Sequence, residues 1–221
     1  MATLAEENYL KAIFKLGGRH QTAVSTNAIA EELHTKASSV TDMMKKLADK
    51  KLIRYKKYQG ATLTRQGRSI AVSVVRKHRL WEVFLVEKLQ FTWDEIHDIA
   101  EQLEHIQSET LIQRLDRFLA YPAFDPHGDP IPDKEGNIAL QVGAMLNDLV
   151  KGDYAMISGI SNHTPDFLKY IDSVKLTPGT TFRVVKQFDY DYSYVLDIQG
   201  KELLISEQVA SQIIVKKLSK T

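Results

Sequence analysis

Cysteine is absent from these 221 residues. That removes disulfide staples, thiolate zinc sites and cysteine nucleophiles together, so any metal must be held by nitrogen and oxygen. Long apolar runs are missing too: no stretch approaches the roughly 18 residues that cross a bilayer. The opening MATLAEENYL lacks the basic-then-apolar pattern of a signal peptide, so a cytoplasmic protein with no membrane partner is expected. HEXXH, a Walker loop, a dinucleotide fingerprint and a serine-triad motif do not occur, which leaves the corresponding enzyme classes without support. Proline is scarce, and four of the six prolines (Pro122, Pro126, Pro130 and Pro132) fall in the span 121–137 with Gly128 and Gly136. So many breakers predict an extended linker, placed at 121–151.

The composition, 43% hydrophobic and 26% charged, suits a folded chain with enough core for two or three small domains. The net charge of +1 conceals an asymmetry: residues 1–80 hold 16 Lys/Arg against 6 Asp/Glu, and the remainder is acidic. Residues 51–80 contain nine basic side chains and no acidic one. A charge run is usually only solvated surface, but this one also has the sign needed to neutralise nucleic-acid phosphates.

Apolar spacing predicts a helix over 4–16, ended by Gly17-Gly18. A short helix over 27–33, with Thr26 as its cap, and a second over 37–50 after a break at His34-Thr35 form a helix-turn-helix. The basic, aromatic stretch 52–63 reads as a hairpin turning near Gln59-Gly60, the wing of a winged helix-turn-helix. Further helices are expected over 64–89, from the capping-box pattern Thr92-Trp93-Asp94-Glu95 to 106, and over 108–119. Their large apolar residues suit packing within a subunit and across a dimer. Beyond 152, short β-like runs around Pro178-Gly179 and Gly200-Lys201 suggest a small β-barrel. The fold expected is mainly α with a small β domain: a winged helix-turn-helix over 1–63, a helical domain over 64–120, the linker, and a β domain over 152–221.

A recognition helix opening Lys36-Ala37-Ser38-Ser39-Val40-Thr41 puts short hydroxyls where base edges and phosphates are met. Candidate DNA contacts are Thr26, Lys36, Ser38, Ser39, Thr41, Lys45 and Lys46, with Lys56, Lys57 and Tyr58 in the wing. Farther on, His97, Glu101, Glu104 and His105 stand at i, i+4, i+7 and i+8, which on a continuous helix is one face. His78 and Glu82 form another i, i+4 pair. Clustered carboxylates repel unless a cation joins them, and this donor set suits manganese(II) or iron(II), and is open to zinc(II) or cobalt(II). A bland alternative is a set of helix-surface ion pairs.

The segments Glu7-Asn8-Tyr9-Leu10, Ser38-Ser39-Val40-Thr41, Arg76-Lys77-His78-Arg79-Leu80 with Glu82, Glu101 to His105 with His97, and Pro126-His127-Gly128-Asp129-Pro130-Ile131-Pro132 carry a resemblance that covers nearly the whole chain. It is to the DtxR/MntR family of metal-dependent transcriptional repressors, in the long form with a C-terminal SH3-like (FeoA-like) domain. The resemblance implies a homodimer on double-stranded operator DNA. Its primary site would take Asn8, where manganese-type members usually have Asp and iron-type members Met, together with Glu101, Glu104 and His105. Glu101 stands where iron-responsive members carry Cys, which favours manganese(II), with iron(II) as the alternative. His78 matches a primary ligand in manganese-type members and an ancillary one in iron-type members. An ancillary site would use His78, Glu82 and His97, joined by His163 or Asp166 of the SH3-like domain, with Asp125 and His127 supplied by the linker. Lys11 replaces a further manganese-type ligand, a Glu, and so argues against a binuclear site of that geometry.

The function expected is a metal-activated repressor of metal-ion homeostasis, not an enzyme. In a metal-independent winged-helix regulator the histidine-carboxylate pairs would only be ion pairs. A metal-dependent enzyme would need a substrate pocket and an acid-base pair beyond the proposed ligands.

Overall fold

Helix α1 (Leu4–Gly17) begins at a capping box: the Thr3 hydroxyl accepts from the Glu6 N–H, and the Glu6 carboxylate accepts from the Thr3 N–H. The computed structural model describes residues 2–18, 20–139 and 143–219. Its contacts divide the chain into a first unit of residues 1–81, 100–114 and 132–138, and a second of residues 82–99, 115–131 and 139–221.

In the first unit α1 packs on α2 (Thr26–Glu32) and α3 (Ala37–Asp49) around Leu10, Ile13, Ile29, Val40, Met44 and Leu47, all essentially without exposure. The turn between α2 and α3 is tight because His34 takes a left-handed conformation, φ 47°, so the apolar faces of both helices meet one core. Strands β1 (Ile53–Lys56) and β2 (Gly60–Leu63) pair antiparallel from Ile53↔Leu63 to Lys56↔Gly60. Val24 adds a third rung, exchanging two 2.9 Å hydrogen bonds with Ala61. Gly60 is required there: its φ is +91°, and a Cβ would lie 2.5 Å from the Val24 carbonyl oxygen. The winged helix-turn-helix is thus present, with one correction: Ser25 rather than Thr26 caps α2, its hydroxyl accepting from Ala28 N–H at 3.1 Å. Helix α4 (Arg65–Leu89) contributes residues 65–81 to this unit.

The second unit holds a six-stranded antiparallel sheet in the order β3-β8-β4-β5-β6-β7. Its strands are β3 (Ala144–Met145), β4 (Tyr154–Ile160), β5 (Thr181–Gln187), β6 (Tyr194–Ile198), β7 (Lys201–Ile205) and β8 (Ile213–Lys217). Alternate residues such as Ala155 and Ile157, Phe182 and Val184, Tyr194 and Leu196, and Ile213 and Val215 face one buried core. Strands β4 to β8 lie beyond 152, where short β-like runs were expected. Strand β3 and the helices α7 (Pro165–Ser173) and α8 (Glu207–Ala210) were not anticipated. Helix α6 (Glu109–Phe118) lies where a helix was expected.

One polar contact ties α1 to the recognition helix. The Glu6 side chain is fully buried and accepts from Lys50 Nζ at 2.7 and 2.9 Å and from Lys46 Nζ at 3.0 Å. Burial alone would raise its pKa, but hydrogen bonds from Lys50, the Thr3 N–H and Lys46 outweigh it and hold the group at about 2 against an ordinary 4.5. A depressed carboxyl stabilises the fold above pH 4.5, and that contribution is lost as pH falls toward 2. Both lysines are about half exposed, so solvent screening limits the effect. Glu6→Gln is expected to cost about 1–2 kcal/mol at neutral pH. Urea titrations of both proteins across the acid range should show that gap closing as pH falls; a gap independent of pH would assign the loss to packing instead.

Candidate metal centre

Helix α5 (Ile96–Leu103) follows a turn in which Glu95 Oε2 accepts from the Thr92 N–H at 2.9 Å and its hydroxyl at 2.7 Å. The helix is shorter than the expected 92–106, and this changes the geometry of the donors. Glu104 N–H still reaches Ala100 O at 2.9 Å, but Ile106 N–H turns back to Leu103 O at 3.2 Å, so the coil tightens after Leu103. Glu104 still stays beside Glu101, both meeting Lys11 and His78, whereas His105, beyond the closing turn, reaches Glu7.

Glu104 is fully buried. Its Oε2 stands 2.6 Å from His78 Nδ1 on α4 and 2.6 Å from Lys11 Nζ on α1. The same ammonium donates to Glu101 Oε1 and lies 3.3 Å from His78 Nδ1. His78 thus stands beside both Glu101 and Glu104, its Nδ1 3.9 Å from Glu101 Oε1 and 2.6 Å from Glu104 Oε2. Nearby, His105 Nδ1 is 2.7 Å from Glu7 Oε2, and Gln107 Nε2 donates to Glu7 Oε1 at 3.0 Å. A proton on Nδ1 shared with Glu7 leaves the Nε2 lone pair exposed to a ligand. Lys77, buried on α4, is held below its ordinary 10.5 by burial, against the opposing fields of Glu7, Glu104 and Glu109.

Among the described residues of the first unit, Glu104 Oε1 and His105 Nε2, 3.7 Å apart, are buried acceptors without a hydrogen-bond partner, and so is Asn8 Oδ1 on α1. Buried polar atoms are normally satisfied. An amide oxygen, a carboxylate oxygen and an imidazole nitrogen are together a donor set for a divalent cation, so these residues fit the metal that the fold implies. The role of Glu7 was not readable from its Glu7-Asn8-Tyr9-Leu10 segment, because a hydrogen bond to a histidine 98 residues away leaves no local pattern.

The second unit gathers a separate set. One donor atom each from Glu82, Asp125 and His127 lie within 4.8 Å of one another, and all three residues are buried. Glu82 Oε1 is 4.0 Å from both His127 Nδ1 and His97 Nδ1. The span 121–137 is irregular, as its prolines imply, and Asp125 and His127 within it are buried. Asp125 Oδ1 accepts from the backbone N–H groups of His127 and Asp129, both at 2.9 Å, which folds the chain into a turn. His127 packs edge-on against Trp93 and His163, with centroids 5.1 and 5.2 Å away. His163 Nε2 lies 3.8 Å from Asp129 Oδ2. Asp166 is exposed in the first turn of α7.

Of the candidate DNA contacts, Lys36, Ser38, Ser39 and Lys45 are exposed at the start and along the outside of α3. Thr26 and Thr41 are half-buried, and the Thr41 hydroxyl donates to Ala37 O at 2.9 Å. Lys46 instead serves Glu6. In the wing Lys56 and Lys57 are exposed and Tyr58 is 93% exposed, with the Lys57 ammonium 4.9 Å from its ring centre.

A winged helix-turn-helix beside buried nitrogen and oxygen donors defines the class of metal-dependent DNA-binding regulators. Family profiles match in chain order: the N-terminal DNA-binding domain of iron-dependent repressors over residues 1–61, their metal-binding and dimerisation domain over 64–133, and the FeoA domain over 144–217. A manganese-dependent transcriptional repressor solved with manganese is 34% identical, with 96% of this chain and 100% of that one covered at a TM-score of 0.84. The manganese regulator SloR is 35% identical, with 96% and 98% covered at 0.73. The iron-dependent repressor IdeR of Mycobacterium tuberculosis is 35% identical over 137 residues, 62% of this chain; the match spans 58% of that relative's length. The chain belongs to the iron-dependent repressor family, made of DNA-binding transcriptional repressors and not enzymes. No helix among the described residues is long and apolar enough to cross a membrane.

The buried turn of the second unit depends on Gly128. Its φ is +89°, and a Cβ would lie 2.2 Å from the Ser158 carbonyl oxygen and 2.5 Å from Gly159 Cα. Gly128→Ala is expected to cost about 2–4 kcal/mol. Hydrogen exchange should quicken in 125–131 and in β4 while the helix-turn-helix is unchanged; unaltered protection in 125–131 would contradict the close approach.

Proposed function

We propose that this protein is a metal-activated transcriptional repressor of metal-ion homeostasis that binds double-stranded operator DNA as a homodimer, with manganese(II) preferred to iron(II) as corepressor. The observation that carries this reading is the set of partnerless buried acceptors on Asn8, Glu104 and His105. A divalent cation bound there supplies a link between α1 and the turn after α5. Glu7 orients His105 so that Nε2 presents its lone pair, and Gln107 steadies Glu7 in turn. His78 and Glu101 complete the neighbourhood through the other oxygen of Glu104 and through Lys11. An all nitrogen-and-oxygen set, with a carboxylate at Glu101, favours manganese(II); zinc(II) and cobalt(II) can substitute in vitro. The manganese-dependent neighbours support the same choice.

Glu82, Asp125 and His127, with His97 and His163 beside them, form the ancillary site in this reading, and Asp166 has no part in it. Residues 1–63 are the DNA-binding domain, 64–120 the metal-binding and dimerisation domain, 121–151 the connection and 152–221 the FeoA-like domain. In the dimer two recognition helices enter major grooves about one turn, roughly 34–36 Å, apart, so restricting the orientation of α1 and α3 raises affinity without metal touching DNA. Ser38, Ser39 and Thr41 meet bases and phosphates, while Lys36, Lys45, Lys56 and Lys57 neutralise the backbone. For scale, a cation at 100 times its dissociation constant, binding only the DNA-competent state, contributes about 2.7 kcal/mol.

Fluorescence anisotropy of metal-stripped protein on its own upstream DNA, at fixed salt, tests the reading. Manganese(II) is expected to tighten binding at least about tenfold, and at a lower free concentration than iron(II). His105→Ala should lose that increment, while Lys57→Ala should weaken binding to all sequences and flatten the salt slope by about 0.9. Tight binding in chelator that metal does not change would leave a metal-independent winged-helix regulator.

A further inference from the structure

A cavity of about 270 Å³ opens within the first unit between α4, the start of α6 and the turn 133–136. Arg65, Arg68, Ser69, Ser73 and Arg76 line one side of it at i, i+3, i+4, i+8 and i+11 along α4, one broad helix face. The opposite wall is fixed. The Asp133 carboxylate accepts from the N–H and the side-chain amide of Asn137, both at 2.8 Å, Gly136 N–H closes on Asp133 O at 3.0 Å, and Arg76 Nη1 donates to Pro132 O. The floor holds the buried Val72 and Ile112, and beside them Lys77, only 7% exposed. An ammonium carries three donors. Among the described residues, that of Lys77 meets only Ile106 O, at a long 3.4 Å, with Glu7, Glu104 and Glu109 acting on it through their fields.

Charge around the cavity has a definite sign. Five cations line it, Lys134 being the fifth, against the three carboxylates of Glu109, Asp133 and Glu135. Each carboxylate already has a partner: Glu135 pairs with Lys134 at 3.5 Å, Asp133 is taken up by Asn137, and Glu109 Oε1 accepts from Gln113 at 3.2 Å. The excess is two positive charges, and guanidinium forks match the planar oxygens of carboxylates and the oxygens of phosphates. We propose that this cavity binds a small polyanion, a molecule bearing phosphate or carboxylate groups, through Lys77, the α4 arginines and the hydroxyls of Ser69 and Ser73. Its volume lies just below the roughly 300–1,000 Å³ of small-molecule sites, which suits a compact ligand rather than a polymer. No residue proposed above as a metal ligand lines it, so the proposal does not rest on the metal-activated reading.

Isothermal titration calorimetry of the metal-stripped full chain with pyrophosphate and with citrate, at fixed ionic strength, tests the proposal. One site per subunit is expected for at least one of them; tighter pyrophosphate assigns a phosphorylated ligand and tighter citrate a polycarboxylate. Lys77→Gln, which removes the buried charge, should weaken binding at least about tenfold. Ser73→Phe, which fills the cavity from an exposed helix position and so spares the core, should do the same, with circular dichroism checking that both variants fold. Lys57→Gln, in the wing and outside the cavity, should leave the affinity unchanged. The absence of saturable binding for both anions overturns the proposal, as does binding that survives Ser73→Phe. Equal weakening by Lys57→Gln would show diffuse surface attraction and overturn it too.

Discussion

Carboxylates gathered out of water need cations, and much of the first unit follows from how this chain supplies them. Glu7, Glu101 and Glu104 converge from α1, α5 and the turn after it, with Glu104 wholly buried. Left alone they would force those elements apart or take up protons. Lys11 on α1 and His78 on α4 prevent this by hydrogen bonds to Glu104, and Glu7 is shared between His105 and Gln107. Helices α1, α4 and α5 are thereby joined at this point by shared polar contacts.

Helix α1 also turns toward the DNA-reading element. Glu6 faces the opposite way from its neighbour Glu7, receiving Lys46 and Lys50 at the end of α3, while Glu7 and Lys11, four residues apart, address the donor cluster. A displacement of α1 therefore acts on two charged contacts at once, and the stiff packing of Leu10 and Ile13 against Ile29, Val40 and Met44 gives it little freedom to bend between them. In the proposed function this is the physical route from the metal to the recognition helix. The contacts along this route are contiguous, and the DNA-binding measurements read the coupling they carry.

Much of this was legible in the sequence because periodicity and caps are local. The helix-turn-helix, the hairpin at Gln59-Gly60 and the 25-residue α4 each announce themselves within one window. His97, Glu101, Glu104 and His105 were recognisable as donors, and Glu101 and Glu104 do meet on Lys11 and His78, but the backbone tightening after Leu103 sends His105 to Glu7. Asp125 and His127 were named as linker donors, but an extended linker does not foretell their burial, which follows because Asp125 satisfies the backbone of its own turn. Glu7 was silent because its partner is 98 residues away. Strand β3 and helix α8, two and four residues long, are too short to carry a period.

The two donor sets solve the same electrostatic problem with different materials, and the difference bears on what each can do. In the second unit Asp125 is compensated by backbone N–H dipoles from His127 and Asp129, and Glu82 stands 4.0 Å from two imidazoles. Those groups are fixed by the turn and carry a charge only if a histidine is protonated. In the first unit the compensating groups include ammonium ions on long side chains, one of which reaches three acceptors at once. A rigid set of dipoles keeps its geometry whether or not a cation is near. A lysine held only by ion pairs can be displaced or repelled when a cation arrives, and it moves the helix that bears it. In the proposed function, responsiveness to metal belongs to the cluster on α1, the helix whose Glu6 meets the recognition helix, while the turn around Asp125 is held by its own backbone.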